Sequence, residues 1–94
     1  MYMRVVRGRT DPARLDELTG QVGQDVGAAI RRLPGFQSHL GGVDRASGRT
    51  VAISTWDTEE HARWPRESAG DLLARFQALG IQLEPPEFFE ATTT

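Results

Sequence analysis

The stretch that decides the fold is FQSHLGGVDRASGRTVAISTW, residues 36–56. Its two ends, residues 36–43 and 50–56, predict the strands of a β-hairpin, and the second end is rich in the β-branched residues that strands favour. The connection at residues 44–49 begins with Asp and contains Gly, two residues that favour turns. The hairpin is therefore the centre from which the other elements are assigned.

A strand and a long helix are predicted before the hairpin, at residues 2–7 and 12–33. Asp11 is a suitable N-cap, and Pro12 suits the first helical position because its missing N–H would have no partner there. Residues 34–35, Pro and Gly, end the helix. Its apolar side chains recur every three or four residues, as on one helix face: Leu15, Leu18, Val22, Val26, Ile30 and Leu33.

A second helix follows the hairpin and is predicted in two pieces. Asp57 caps the first piece, Pro65 breaks the helix, and Ser68 restarts it with an acidic residue at capping-box spacing. Residues 81–83 and the two prolines that follow lead to a last predicted strand at residues 87–91. The buried face of the restarted helix is predicted to comprise Leu72, Leu73, Phe76 and Leu79.

The predicted order of elements is β-α-β-β-α-β within a single domain of residues 1–94. That order is typical of the ferredoxin-like α+β fold, in which two helices cover one face of an antiparallel sheet. The three C-terminal Thr residues are expected to fray.

The strands carry apolar side chains on both faces, which predicts a homodimer. Val51 and Ile53 point to one face while Ala52 and Trp56 point to the other, and the adjacent aromatic residues 88–89 also divide between the faces. Helices cover only one face, so something else must cover the second. An identical sheet is the simplest partner because closed twofold assembly is the commonest oligomer.

The composition excludes several classes of function. The chain has no Cys and no Lys, which removes disulfides, Cys-ligated zinc, side-chain Schiff bases and the P-loop. A net charge of −2 with both signs interspersed argues against nucleic-acid binding. The sequence shows no signal-peptide pattern and no apolar run of membrane-spanning length, so the expected location is the cytoplasm, without a membrane partner.

Three glycines, Gly20, Gly23 and Gly27, lie inside the first predicted helix. They have two interpretations. Either the helix packs closely on the sheet there, or the missing side chains leave room for a ligand beneath it. Close packing is the favoured interpretation because an interior helix glycine usually has a packing reason.

The sequences LPGF at residues 33–36 and VAISTWDTEEHA at residues 51–62, with the DRASGR turn at residues 44–49, resemble a known family. It is the antibiotic biosynthesis monooxygenase (ABM) family of dimeric α+β barrels, and the resemblance covers residues 2–91. The resemblance implies a homodimer whose sheets form a barrel, with a pocket between each sheet and its helices. Some members oxidise polycyclic aromatic substrates with O₂ and no cofactor, and related members degrade haem.

The resemblance carries over to individual residues only in part. Trp56 resembles the strand-end Trp of the cofactor-independent oxygenases, which have an Asn four residues earlier where this chain has Ala52. Trp64 resembles a Trp of the haem-degrading branch. Arg7 lies near that branch's Asn position, and no His follows His61. We therefore expect no haem, no metal and no other cofactor.

Two candidate site residues are His39 and Trp64. His39 is either a pocket acid or base, as its near-neutral pKa permits, or an interface or surface residue, which the lack of a partner in sequence favours. Trp64 precedes the Pro65 break and is read as lining a pocket for a planar ligand, with plain core as the alternative. For Trp56 the core and pocket readings are evenly balanced, and His61 is expected to be solvated.

Arg4 and Arg7 are three residues apart on one strand and so face opposite sides. One of them could neutralise an anionic ligand or enolate, and Arg7 is taken as the candidate for substrate binding. The alternative is a surface role, which is favoured because arginine is seldom buried without a partner.

These residues leave two functions to compare. The first is a domain that binds a small hydrophobic or aromatic molecule and acts as a cofactor-independent monooxygenase of quinol-type substrates, with His39 and Trp56 as catalytic residues. The second is a non-catalytic small-molecule-binding or stress-related structural dimer. A large pocket with convergent polar groups favours the first function, and a helix face packed solidly onto the sheet favours the second.

Overall fold

A computed structural model describes residues 1–65, 68 and 71–92 of the chain, apart from the side chains of residues 71–73. It contains one antiparallel sheet with helices on one face, so the predicted α+β class is confirmed. The strands are β1 (Tyr2–Arg9), β2 (Phe36–Asp44), β3 (Arg49–Trp56), β4 (Gln82–Leu83) and β5 (Glu87–Glu90). The α-helices are α1 (Leu15–Glu17), α2 (Gly23–Arg31), α3 (Glu59–Ala62) and α4 (Asp71–Ala78).

The first strand, β1, is the centre of the sheet. It pairs with β3 along its whole length on one side, and β2 extends the sheet beyond β3. On its other side β1 pairs with β5 near its start and with β4 near its end. Two prolines, Pro85 and Pro86, separate β4 from β5, and proline cannot donate a hydrogen bond to a strand ladder.

Strand pairing decides which side chains face the helices. Directly paired residues share a face, and Trp56 lies opposite both Tyr2 and Phe36. The Trp56 side chain is completely buried, and its ring meets Phe36 edge-on with the centroids 5.6 Å apart. Its Nε1 donates a hydrogen bond of 2.9 Å to Oγ of buried Ser54. The face that carries Trp56 is called the inner face below, and the opposite one the outer face.

The prediction of one continuous helix over residues 12–33 is wrong. The region consists of a 3-10 turn at Pro12–Arg14, then α1, a π-helical turn at Leu18–Val22, and α2. Gly20 inside the π turn has non-helical φ and ψ angles of −83° and −137°. A Cβ on Gly23 would collide with the backbone oxygen of Leu18, so this glycine permits the close approach within the turn.

The predicted apolar stripe is largely buried in spite of this break. Leu15, Leu18, Val26 and Ile30 are buried, while Val22 and Leu33 are half-buried. Two clusters make up the core. One joins α2 and α3 to the inner face through Val26, Ile30, Trp56 and Ala62, and the other joins Leu15, Leu18 and Ile81.

The second helical region begins one residue later than predicted. Thr58, not Asp57, caps α3, because its hydroxyl oxygen accepts the His61 N–H at 3.2 Å. The Asp57 carboxylate instead lies 2.6 Å from Nδ1 of His61. The helix ends at Ala62, before Pro65, and no helix in the described ranges is long and apolar enough to cross a membrane.

Some predictions for this part of the chain lie outside the described residues. They are the capping box of the restarted helix, the burial of Leu72 and Leu73, and the fraying of residues 93 and 94. Phe76 and Leu79 of the predicted face are half-buried and pack against the core clusters.

We predict that Gly48→Ala destabilises the protein by about 1–3 kcal/mol, because a residue with a side chain is strained at positive φ. Gly48 has φ +80°, and a Cβ there would collide with the Thr10 backbone oxygen. The matched control is Gly41→Ala, where the nearest atom to a Cβ is 3.9 Å away, and we expect a change within about 0.5 kcal/mol. Urea unfolding measures both free energies, and equal values would contradict the prediction.

Candidate functional site

A cavity of about 1050 Å³ lies between the inner face of the sheet and the helical region above it. Its floor includes one inner-face row in which Val6 pairs with Ala52 and Ala52 pairs with Gly41. Its roof includes Gly23 and Gly27. Small residues on both sides explain why space remains between layers that otherwise pack together.

The next inner-face row supplies the polar groups. Arg4 of β1 pairs with Ser54 of β3, and Ser54 pairs with His39 of β2. On the other side of Arg4 lies Phe88 of β5. Neighbouring strands are about 4.8 Å apart, so the backbones of Arg4 and His39 are separated by about 10 Å. Both side chains line the cavity.

The Arg4 guanidinium lies against the Trp64 ring, with its Cζ 3.9 Å from the ring centroid. Its Nη1 donates hydrogen bonds to the backbone oxygens of Ala62 at 3.0 Å and of Trp64 at 3.1 Å. Burial lowers the pKa of Arg4 from its ordinary value to about 10, so the group stays protonated at neutral pH. The contacts place a cation beside an aromatic surface in the cavity.

His39 is half-buried in the same cavity. Burial, and then the positive charge of Arg31, lowers the pKa of His39 below its ordinary value of 6.5. The imidazole is therefore neutral at neutral pH and able to accept a proton.

The two tryptophans occupy different environments. Trp64 is half-buried and lines the cavity, as its predicted pocket role requires. Trp56 is completely buried in the core between the helices and the sheet, and it is not among the residues that line the cavity. The catalytic role of Trp56 stays a prediction, and its observed contacts are structural.

Arg7 lies on the outer face, away from His39 and Trp64. Its Nε donates to the Glu87 carboxylate at 2.9 Å, and it lines a separate groove of about 860 Å³. Its role in substrate binding stays a prediction that this position does not favour. Arg4, which sequence reasoning considered but did not select, is the arginine inside the cavity. The two arginines lie on opposite faces of β1, and the pairing of Arg4 with buried Ser54 shows that Arg4 is the one on the inner face.

Nothing in the described part of the chain brings three or more His, Asp and Glu side chains together as a metal site. His61 is partly exposed and is bonded to Asp57. That the protein needs no metal, haem or other cofactor stays a prediction.

The same architecture occurs in solved structures. A Deinococcus radiodurans protein assigned to the antibiotic biosynthesis monooxygenases matches with a TM-score of 0.75 and 15% identity, over 100% of this chain and 95% of that one. SnoaB, a cofactor-independent oxygenase from Streptomyces nogalater, matches with a TM-score of 0.68 and 23% identity, over 99% of this chain and 94% of that one. This chain has the fold of the antibiotic biosynthesis monooxygenases.

A third structure with the ABM fold is the monooxygenase ActVA-Orf6 from Streptomyces coelicolor, in complex with nanaomycin D. It matches with a TM-score of 0.61 and 21% identity, over 99% of this chain and 88% of that one. No protein-family model matches the sequence, and no curated protein matches it. Identities this low establish the fold, whereas function depends on the site.

The cavity floor carries Ala52 beside its polar row. The resemblance to the cofactor-independent oxygenases implies an Asn at the position of Ala52, on the cavity floor. A methyl group makes no hydrogen bond, so Ala52 leaves the polar chemistry to the neighbouring row that contains Arg4 and His39.

We predict that Arg31→Gln raises the pKa of His39, because the Arg31 charge disfavours the imidazolium. Proton NMR titration of the His39 ring measures this pKa, and His61→Gln assigns the resonance. The folded pKa lies below the unfolded one, so the stability contributed by His39 is present above pH 6.5 and is lost as the pH falls through the folded pKa. A His39 pKa that is unchanged in Arg31→Gln would contradict the prediction.

Proposed function

We propose that this protein binds planar aromatic molecules in the cavity and oxidises them with O₂ without a cofactor. The observation that carries the proposal is a cavity of about 1050 Å³ lined both by an aromatic side chain, Trp64, and by a half-buried neutral imidazole, His39. A solid helix–sheet interface would offer neither a binding volume nor an internal base. The ABM fold of SnoaB, a cofactor-independent oxygenase, is consistent with this proposal.

The reaction converts an activated aromatic CH₂ group to a ketone. A base removes one proton from the carbon, and the resulting carbanion transfers one electron to O₂. The two radicals combine to form a C–O bond, and protonation gives a hydroperoxide. Loss of water then breaks the O–O bond, so that CH₂ and O₂ become C=O and H₂O. The substrate supplies all the electrons, which is why no redox cofactor enters.

His39 is the group that takes this proton. Its imidazole is uncharged at neutral pH because of burial and Arg31, and proton transfer to a positioned base accelerates a reaction by about 10²–10⁴-fold. The same nitrogen can return the proton to the peroxide oxygen. Arg4 lies two strands away, where its positive charge stabilises the negative oxygen of the enolate.

A second candidate function is binding without catalysis. The observation that favours it is Ala52, which supplies no hydrogen bond where the oxygenase pattern has Asn. The two functions share the cavity and the aromatic ligand, and they differ only in turnover.

We predict that the protein converts anthrone to anthraquinone in the presence of EDTA, with one O₂ consumed per quinone formed. His39→Gln should lower kcat by about 10²–10⁴-fold, because it removes the base. The matched control is His61→Gln, the same substitution at a partly exposed histidine outside the cavity, and it should leave kcat unchanged. Oxygen uptake and quinone absorbance measure the rates.

Each other outcome has a definite meaning. Saturable quenching of Trp fluorescence without turnover would replace the oxygenase by the binding function. Equal rates in the two histidine variants would exclude His39 as the base. If no planar ketone or phenol alters the fluorescence, and Trp64→Ala only loses about 3–5 kcal/mol of stability, Trp64 is core and the aromatic site is rejected.

Two copies pair through their outer faces. Leu40, Ile53 and Val5 form one apolar row across three strands of this face, and Leu40 is 73% exposed. Phe89 of β5, which pairs with Met3 of β1, lies on the same outer face and is 46% exposed. Exposed apolar side chains on a sheet face mark an interaction site, and an identical sheet is the simplest partner because closed twofold assembly is the commonest oligomer.

We predict that Leu40→Arg converts a dimer into a monomer, because it places an unpaired charge within the apolar interface. Sedimentation equilibrium at micromolar concentration measures the mass. The control is Ala28→Arg, which adds the same side chain at an exposed position of α2, and it should remain dimeric. A wild-type protein with the mass of a monomer would refute the pairing.

A further inference from the structure

Arg4 differs from the other described arginines in being half-buried without an ion pair. Arg9, Arg31 and Arg32 also form no ion pair with a described residue, but they are exposed. Six arginines form ion pairs with carboxylates at surface positions: Arg7, Arg14, Arg45, Arg49, Arg63 and Arg75. Arg4 is half-buried and forms no ion pair with any carboxylate of the described residues. Placing a cation in a partly buried site without a counter-charge is unfavourable, and the lowered pKa of Arg4 has the same cause.

The contacts of Arg4 hold its guanidinium in one orientation. Nη1 is used by the backbone oxygens of Ala62 and Trp64. The rings of Trp64 and Phe88 lie at 3.9 Å and 5.5 Å from Cζ. Neither Nε nor Nη2 donates a hydrogen bond to a described residue, and Nε is buried. Because Nε is buried, Nη2 is the atom through which Arg4 can donate to a carboxylate oxygen in the cavity.

A second donor lies in the same place. Nε1 of Trp64 is buried and has no acceptor among the described residues. Neither this atom nor Nε of Arg4 is exposed to the cavity, although both residues line it. A ligand in the cavity therefore reaches the Arg4 guanidinium through Nη2. The charge of Arg4 favours an anionic ligand there.

The charges around the cavity agree with this polarity. The described lining residues include three arginines, Arg4, Arg31 and Arg63, and one carboxylate, Glu84. Arg63 is partly neutralised by Glu59 at 3.2 Å. The backbones of the strands that carry Arg4 and His39 are about 10 Å apart, and this separation matches the length of a fused aromatic ring system.

We propose that the cavity selects planar aromatic ligands that carry an anionic oxygen group at one edge, and that Arg4 is the residue that determines this specificity. The Nη2 atom of Arg4 donates to the anionic oxygens, and the ring system extends over Ala52 toward His39. The inference rests on the proposed function, since it concerns the ligand of the same cavity.

The test compares two ligands of nearly the same shape at pH 7.5, anthraquinone-2-carboxylate and its uncharged carboxamide. Isothermal titration calorimetry measures both affinities. We expect the wild-type protein to bind the carboxylate about 10- to 100-fold more tightly than the amide, because a hydrogen bond to a charged group is stronger than a neutral one. Equal affinities would overturn the proposal and leave aromatic binding intact. Binding of neither ligand would overturn aromatic binding and the specificity together.

The variants assign the selectivity to one residue. Arg4→Gln should abolish the preference for the carboxylate and change the affinity for the amide by less than about twofold. Arg4→Lys keeps the charge but loses the planar guanidinium that lies against the Trp64 ring, so it should lose about tenfold in carboxylate affinity. The control is Arg63→Gln, at an arginine that also lies over Phe88, with its Cζ 4.1 Å from the ring centroid, but is paired with Glu59. Selectivity that survives Arg4→Gln, or that Arg63→Gln equally abolishes, would overturn the assignment.

A measurement on the wild-type protein covers the case in which both Arg4 variants fail to fold. Nitrogen-15 NMR follows the Nε–H of Arg4 and the Nε1–H of Trp64. We expect the carboxylate to shift both resonances, because a negative charge then lies beside both groups, and the amide to leave that of Arg4 in place. An Arg4 resonance that does not respond to the carboxylate would overturn the proposal.

Discussion

The pairing of β1 with β3 in a single register is the constraint on which the rest of the structure depends. A shift by one residue would exchange the inner and outer faces of β1. The complete burial of Trp56 opposes such a shift, because its ring must lie under the helices between Tyr2 and Phe36. Once this pairing is set, Arg4 lies beside Ser54 on the inner face. The pairing of β3 with β2 then adds His39 to the same row.

That register produces both a cavity and its electrostatic character. The row beside Arg4 consists of Val6, Ala52 and Gly41, which are too small to fill the space below α2. The polar row therefore borders an open volume and not a packed core. Its cation and its neutral imidazole share a partly desolvated space, where charge interactions are stronger than in water. The proposed ligand binding, proton transfer and selection of an anionic ligand all depend on this one arrangement.

Local backbone geometry shapes the other wall of the cavity. Helical periodicity alone favours a continuous helix over residues 12–33, and the apolar stripe of that prediction is largely buried. The π turn at Leu18–Val22 appears because Gly23 lets its backbone approach the Leu18 carbonyl, a contact that any side chain would prevent. Close packing and open volume, which the sequence presented as alternatives for the glycines, thus occur together: Gly23 permits the turn, and Gly23 and Gly27 also line the cavity.

The sequence by itself determined the α+β class, the hairpin at residues 36–56 and the opposite facing of Arg4 and Arg7, because alternation along a strand and helical periodicity are local properties. It also singled out His39 and Trp64, which the structure brings to one cavity. Only the tertiary structure decided that Arg4 is the internal arginine, that Trp56 is core, and that Arg7 pairs with Glu87 on the outer face. The reason is physical: which face of a strand is inside depends on its partners and on the layer that covers it, and both are distant in sequence.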